Sequence, residues 1–318
     1  MKLTRRSALA GLGAALLVGR PKATFAASPK SYDLTPKQVG DGVWMIEGST
    51  EYFTDENGGA IVNCALLQTD EGILIIDTGP SLRYGTALRQ VASQLTGRGI
   101  AGAVNTHHHP DHFFGNQVFS DRPIHALAQT TALAKSEGEA FSDNMYRLLG
   151  DWMRGTEVVP PTAPLESSVL TVGNRSLQVL PLAGHTGADL ALLDQKTGTL
   201  IAGDLVFYNR APTTPHADLE RWRQSLDEIA ALKPAAVLPG HGPLDHAGKA
   251  VQQTRDYLNW LETTLTDAAN EGLDMVEIME TKLPQAYAAM GAMPQEFHRS
   301  VSHLFPTIER KVMPLVNR

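Results

Sequence analysis

Residues 106–116 read THHHPDHFFGN, and the run concentrates side chains that bind metal ions. His107 and His109 alternate as residues on an extended segment do, so both can point to one side of the chain. Asp111 and His112 follow Pro110, where a turn can bring two further ligands to an adjacent point. His108 falls on the other face and is expected to be a spacer or an outer-shell residue. Imidazole and carboxylate together favour zinc, with iron or manganese as alternatives. No Ser-His-Asp or Cys-His nucleophile is apparent.

Further ligand-type residues close later segments: Asp77 in IIDTGP, His185 in LAGHTGAD, Asp204 in IAGDLVF and His241 in LPGHG. Each short motif alone is weak, because Gly-Asp and Gly-His pairs occur at ordinary turns. Together with HHHPDH, and in this order, they resemble the H-x-H-x-D-H family of metallo-β-lactamase hydrolases. The resemblance implies two metal sites. One would use His107, His109 and His185; the other Asp111, His112 and His241; Asp204 would bridge them. It implies Zn2+ as cofactor, two ions per chain. Asp77 would be an outer-shell carboxylate orienting ligands, placed with Asp111 in the catalytic set.

Two zinc ions about 3.5–4 Å apart can share a water and lower its pKa from about 15.7 toward about 7. The bridging hydroxide would then attack a small ester, thioester or lactone, with Asp111 able to take or return a proton. Aspartate at position 204, where many zinc β-lactamases carry Cys or Ser, makes amide hydrolysis the lesser alternative. A mononuclear iron sulfur dioxygenase and a non-catalytic accessory metal-binding protein are two others. The stretches NTHHHPDHFFGNQVF, FYNRAPTTPHADLERW and FHRSVSHLFPTIER resemble exported zinc metallohydrolases of quinoprotein relay and sulfur-oxidation systems. That likeness implies a periplasmic quinoprotein dehydrogenase or cytochrome system as partner, beside a small-molecule substrate.

Four residues outside the motifs are candidates for substrate contact. Arg210, soon after Asp204, would clamp an anion or form a surface salt bridge. His216 reads first as a solvated loop histidine and second as a pocket residue. Tyr52 and Phe53, beside DENGG, would form either a lid or an exposed hairpin tip.

The elements that must position these residues follow from periodicity. GAIVNCALLQTDEGILIIDTGP predicts two strands around the turn 69–72, and RYGTALRQVASQLTGRG a helix with Leu88, Val91 and Leu95 on one face. IAGAVNT is a strand leading into His107. Residues 124–150 read as helix and the proline-rich 155–170 as loop. SLQVLPL and ADLALLDQKTGTLIAGD give more strands, ERWRQSLDEIAAL a helix, and AAVLPGHG a strand ending at His241. Leu258, Leu261 and Leu265 then mark a helical stripe, and Cys64 and Trp222 read as core. Two rounds of strands and helices predict an α/β fold, the four-layer αβ/βα sandwich of the metallo-β-lactamase family. The catalytic domain would span 27–250, with a helical C-terminal extension, 251–318, packed on it.

The N-terminus reads as a cleavable signal over residues 1–26. Lys2, Arg5 and Arg6 precede a short, weakly apolar stretch (residues 7–19) and small residues near Ala26. The Arg5-Arg6 pair resembles a twin-arginine signal more than a general secretory one, the second reading, and either points to a periplasmic location. Cleavage would remove five basic residues (Lys2, Arg5, Arg6, Arg20, Lys22) and no acidic one, taking the formal net charge from −7 to −12. Such a charge argues against nucleic acid or anionic membrane as partner. Past the N-terminus no apolar run is long enough to span a bilayer. Cys64 is the only cysteine, which excludes an intrachain disulfide.

Overall fold

Strand residues of ILII and CALLQ are apolar at nearly every position because both faces of their sheet are covered. In the computed structural model, which describes residues 30–312, Ile73 and Ile75 pack outward with Tyr84 and Leu88. Leu74 and Ile76 point the other way, against Leu177, Leu190 and Ile201 of a second sheet. Period-two alternation thus sends neighbours into two different cores, and a buried Leu or Ile contributes about 1.5–3 kcal/mol on either side. The signal segment expected at 1–26 lies outside the described residues.

The first sheet holds seven strands in sequence order: β1 (Pro36–Gly40), β2 (Val43–Ile46), β3 (Cys64–Gln68), β4 (Ile73–Ile76), β5 (Ile100–Val104), β6 (Ile124–Ala126) and β7 (Ala163–Pro164). Its first four strands pair antiparallel and the later ones parallel. The second sheet has five: β8 (Val169–Val172), β9 (Arg175–Leu182), β10 (Asp189–Asp194), β11 (Thr199–Phe207) and β12 (Ala236–His241), with β12 and β8 at its edges.

Among the described residues there are eight α-helices: α1 (Leu82–Thr96), α2 (Pro110–Phe113), α3 (Ala128–Leu149), α4 (Leu219–Ala231), α5 (Lys249–Glu271), α6 (Met275–Met279), α7 (Gln285–Ala288) and α8 (Gln295–Val312). α1 starts where the Ser81 side chain accepts from Tyr84 N and stops at left-handed Gly97. Leu88, Val91 and Leu95 of α1 all pack on the outer face of the first sheet. α4, α5 and α8 share a core with β11 through Trp222, Leu226, Leu258, Leu261, Leu265 and Phe297. Helix–sheet–sheet–helix layering with added C-terminal helices is the predicted sandwich.

Three boundaries differ from the sequence reading. Residues 124–126 are strand, because they complete the parallel edge beside β5 before α3 begins. The 155–170 segment carries β7 and the start of β8. The proposed division at 250/251 falls inside α5, and residues from 31 on cluster as one unit. No helix among the described residues is long and apolar enough to cross a membrane.

Candidate metal centre

Most of the ligand-type side chains sit where strands end, on the turn and short helix after β5, between β9 and β10, and at the end of β12. β5 ends at Val104, and the chain runs extended through His107 to His109, which caps α2 with Pro110 at its first position. That one tight turn delivers Asp111 and His112, both buried. His185 sits in the turn between β9 and β10, Asp204 within β11, and His241 at the end of β12.

These residues meet in two groups: His107, His109, His185 and Asp204 in one, and Asp111, His112 and His241 in the other. Asp204 faces both. Its Oδ2 lies 3.2 Å from His185 Nε2 and 3.8 Å from His107 Nε2, while Oδ1 lies 3.1 Å from His112 Nε2 and 3.3 Å from His241 Nε2. His241 Nε2 and His112 Nε2 also lie 3.4 and 3.6 Å from Asp111 Oδ2.

The outer nitrogens of His241, His112 and His107 meet partners of defined role, which fixes the tautomer that aims the other nitrogen inward. His241 Nδ1 donates to the Ile61 carbonyl at 2.7 Å, and His112 Nδ1 to Asp77 Oδ2 at 2.8 Å. The Thr106 hydroxyl donates to Asp77 and so accepts from His107 Nδ1 at 3.1 Å. His109 Nε2 lies 2.9 Å from His216 Nδ1, with His109 Nδ1 turned to His185.

Electrostatics fit a cation. Burial, then the neighbouring imidazoles, holds His109 well below its usual pKa. His107 is likewise held down by burial and by His112, and burial takes His185 to about 3. All three are therefore neutral, the form in which an imidazole nitrogen can ligate a metal. Burial works against charge on His112 too, but Asp204, Asp111 and Asp77 outweigh it and hold its pKa high. Asp204 stays ionised against burial because His241, His112 and His185 surround it. His107 Nε2, His112 Nε2 and Asp204 Oδ1 are buried with no aligned hydrogen-bond partner among the described residues. Converging, unsatisfied imidazole and carboxylate atoms are costly in a core unless an ion takes them up. The donor set therefore fits metal ions of the kind that N and O ligands select.

Two glycines make room around Asp204, one where β11 passes Thr106 and one where β12 passes β11. Gly203 adopts φ +52, inside β11 rather than at a strand end, and a Cβ there would meet the Thr106 side chain at 2.8 Å. At Gly240 a Cβ would sit 2.0 Å from Asp204 Oδ1. Asp77 itself takes φ 62, an uncommon conformation for a non-glycine residue, at the end of β4. It does not line the cleft; it acts through His112 and Thr106 and is a positioning residue.

The centre opens into a cavity of about 420 Å³, the size of small-molecule sites. Tyr52 and Phe53 line it, half-buried and stacked edge to face, so they are not an exposed hairpin tip. His216 is exposed, as its loop position suggested, yet lines the cavity and touches His109. Arg210 is neither on the surface nor in a surface pair: it is 1% exposed and its Nη2 meets buried Glu296 at 3.3 Å. His108 is buried, its Nε2 3.2 Å from Glu137 Oε2 outside the two groups. Sequence reasoning missed Thr106, Phe141 and Met145 of α3, and Arg299 and His303 of α8. Thr106 opens THHHPDH, and Arg299 and His303 lie in FHRSVSHLFPTIER, but nothing in their spacing marks them as part of the site.

The family described as "Metallo-beta-lactamase superfamily" matches residues 57–241, and the chain belongs to that superfamily of metal-dependent hydrolases. Among curated proteins it is 23% identical over 283 residues to a linear primary-alkylsulfatase of a Pseudomonas species, covering 75% of this chain and 53% of that protein. The chain thus spans about half the alkylsulfatase's length. It is 26% identical to the acyl-coenzyme A thioesterase MBLAC2 of Gallus gallus, covering 70% of this chain and 86% of the thioesterase. Its Homo sapiens counterpart is 28% identical, covering 64% of this chain and 80% of that protein. Among solved structures, a metallo-beta-lactamase from Pontibacter korlensis superposes with a TM-score of 0.59 at 21% identity, covering 71% of this chain and 99% of that one. At that identity the likeness bears on the fold alone.

Proposed function

We propose that the chain is an exported binuclear zinc hydrolase acting on a small ester, thioester or lactone. The observation that carries it is the position of Asp204, one oxygen toward His107 and His185 and the other toward His112 and His241. Zinc bound by these two groups would supply Lewis acidity and a water that ionises near neutral pH. His107, His109 and His185 would hold one ion, Asp111, His112 and His241 the other, with Asp204 shared. Asp111 lines the cavity beside the shared carboxylate and can take or return a proton there. The half-buried walls around the cleft limit the water that reaches it. Names of relatives support acyl or sulfate esters as the substrate range: one is called an acyl-coenzyme A thioesterase, another an alkylsulfatase.

Metal analysis of the purified protein is expected to give about two zinc ions per chain, with thioester or ester hydrolysis lost to a chelator and restored by zinc. Full activity with less than one bound metal would reject the two-metal form.

Export through the twin-arginine route, a periplasmic location and a tie to a quinoprotein system belong to the same proposal. They rest on Arg5-Arg6 and on the sequence stretches named above. The proposed domain limits, catalytic to residue 250 and helical beyond, stand beside them, although α8 reaches the cleft. A fractionation experiment that leaves the mature chain in the cytoplasm would remove export from the proposal.

A further inference from the structure

The cavity over the metal centre has walls of two characters. Phe141, Met145 and Leu148 of α3, with Phe53, supply apolar surface. Among the described residues, Arg210 and Arg299 supply the only guanidinium groups in the lining, and apart from Asp111 and Asp204 no carboxylate lines the cavity. Those two aspartates belong to the metal groups.

The two arginines share a single counter-charge behind the wall. Glu296 is fully buried and accepts from Arg210 Nη2 at 3.3 Å, from Arg299 Nη1 at 3.1 and 3.2 Å, and from the Thr213 hydroxyl at 2.8 Å. One carboxylate against two guanidiniums leaves that wall with a net positive charge. Arg210 is fully buried, and its Nε has no hydrogen-bond partner among the described residues. Arg299 keeps a third of its side chain exposed, and both of its bonds to Glu296 come from Nη1. Its guanidinium lies 5.7 Å from the Tyr52 ring centroid, which orients it at the cavity wall. A half-desolvated guanidinium with donors to spare, beside a second one already matched to the shared acid, is suited to an oxyanion group.

We infer that the substrate is an amphiphile, and that Arg299 on α8 reads an anionic oxygen group on it while the α3 wall takes an apolar chain of several carbons. Arg210 and Glu296 act as the base that holds Arg299 in place. This deepens the hydrolase proposal and rests on it for the reaction, though not for the binding of the anion. The selecting residue lies on α8, beyond residues 57–241 that match the superfamily.

Matched octanoyl thioesters of 3-mercaptopropionate and of ethanethiol, given to the zinc-loaded protein, test it. They differ only in the carboxylate on the leaving thiol. The ratio of their kcat/KM values is expected to favour the anionic thioester by about tenfold or more. Arg299→Gln should bring that ratio close to one, and Arg299→Lys, which keeps the charge, should recover part of it. A ratio near one in the unaltered protein, or one that survives in folded Arg299→Gln, overturns the inference. Calorimetry with 1-octanesulfonate separates the two proposals, because it needs no turnover. If no thioester is hydrolysed but Arg299→Gln weakens sulfonate binding about tenfold, the reaction fails and the anion site stands. Sulfonate affinity unchanged by Arg299→Gln, or no binding at all, overturns the anion site.

Discussion

Asp77 Oδ2 accepts from His112 Nδ1 at 2.8 Å, and the same carboxylate takes the backbone N–H and the hydroxyl of Thr106. One buried aspartate thereby fixes the ring plane and tautomer of His112 and, through Thr106, of His107. It ties the two metal groups together from behind, as Asp204 does from the front. Asp77→Asn removes the charge that favours this tautomer while nearly preserving shape. Zinc affinity is expected to fall about 10–100-fold, as for other lost outer-shell partners. A competition titration against a coloured chelator measures it, and an unchanged affinity would remove Asp77 from the centre.

Asp204→Asn should act differently, because both oxygens face ligands. Zinc content is expected to drop to one ion or fewer, and turnover by more than about a hundredfold, beyond what an outer-shell loss causes. Metal analysis and kinetics on one preparation check both, with circular dichroism establishing that the variant is folded.

Gly240→Ala tests packing rather than chemistry. The added methyl would lie 2.0 Å from Asp204 Oδ1 and 2.8 Å from Asp204 N, so β12 or Asp204 has to move. A destabilisation of about 1–3 kcal/mol is expected from overpacking, together with weaker zinc binding. Denaturant unfolding of the zinc-loaded variant reads the first effect.

Removing the metals should lower thermal stability in a concentration-dependent way. Ligands that bind only the folded state add about 4 kcal/mol at a thousand times their Kd. The unsatisfied atoms of His107, His112 and Asp204 add a local reason, since nothing else among the described residues takes them up. Thermal unfolding with chelator, and again after zinc is returned, should show a fall and a recovery; identical curves would contradict the centre.

Cys64 should be inert in the folded protein. It is fully buried in β3, and burial pushes its thiol well up from its ordinary value. A chromogenic disulfide reagent is expected to react with it only after denaturation, at one thiol per chain.

The sequence by itself determined the ligand inventory and the layering. His and Asp at positions 107, 109, 111 and 112 share one short run, the likeness to the metallo-β-lactamase family adds 185, 204 and 241, and runs such as ILII announce strands. These are local signals: a residue type, a spacing, a period. The tertiary structure alone decided that Arg210 lies buried against Glu296, 86 residues away in the chain. It alone set His216 against His109, put Tyr52 and Phe53 in the wall, and brought α8 to the mouth of the cleft. Contacts between distant segments leave no periodic trace, because they depend on how helices and sheets pack rather than on their own patterns. Gly240 shows the limit clearly: its motif marked a strand end, but only the packed strands show that Asp204 occupies the space a side chain would need.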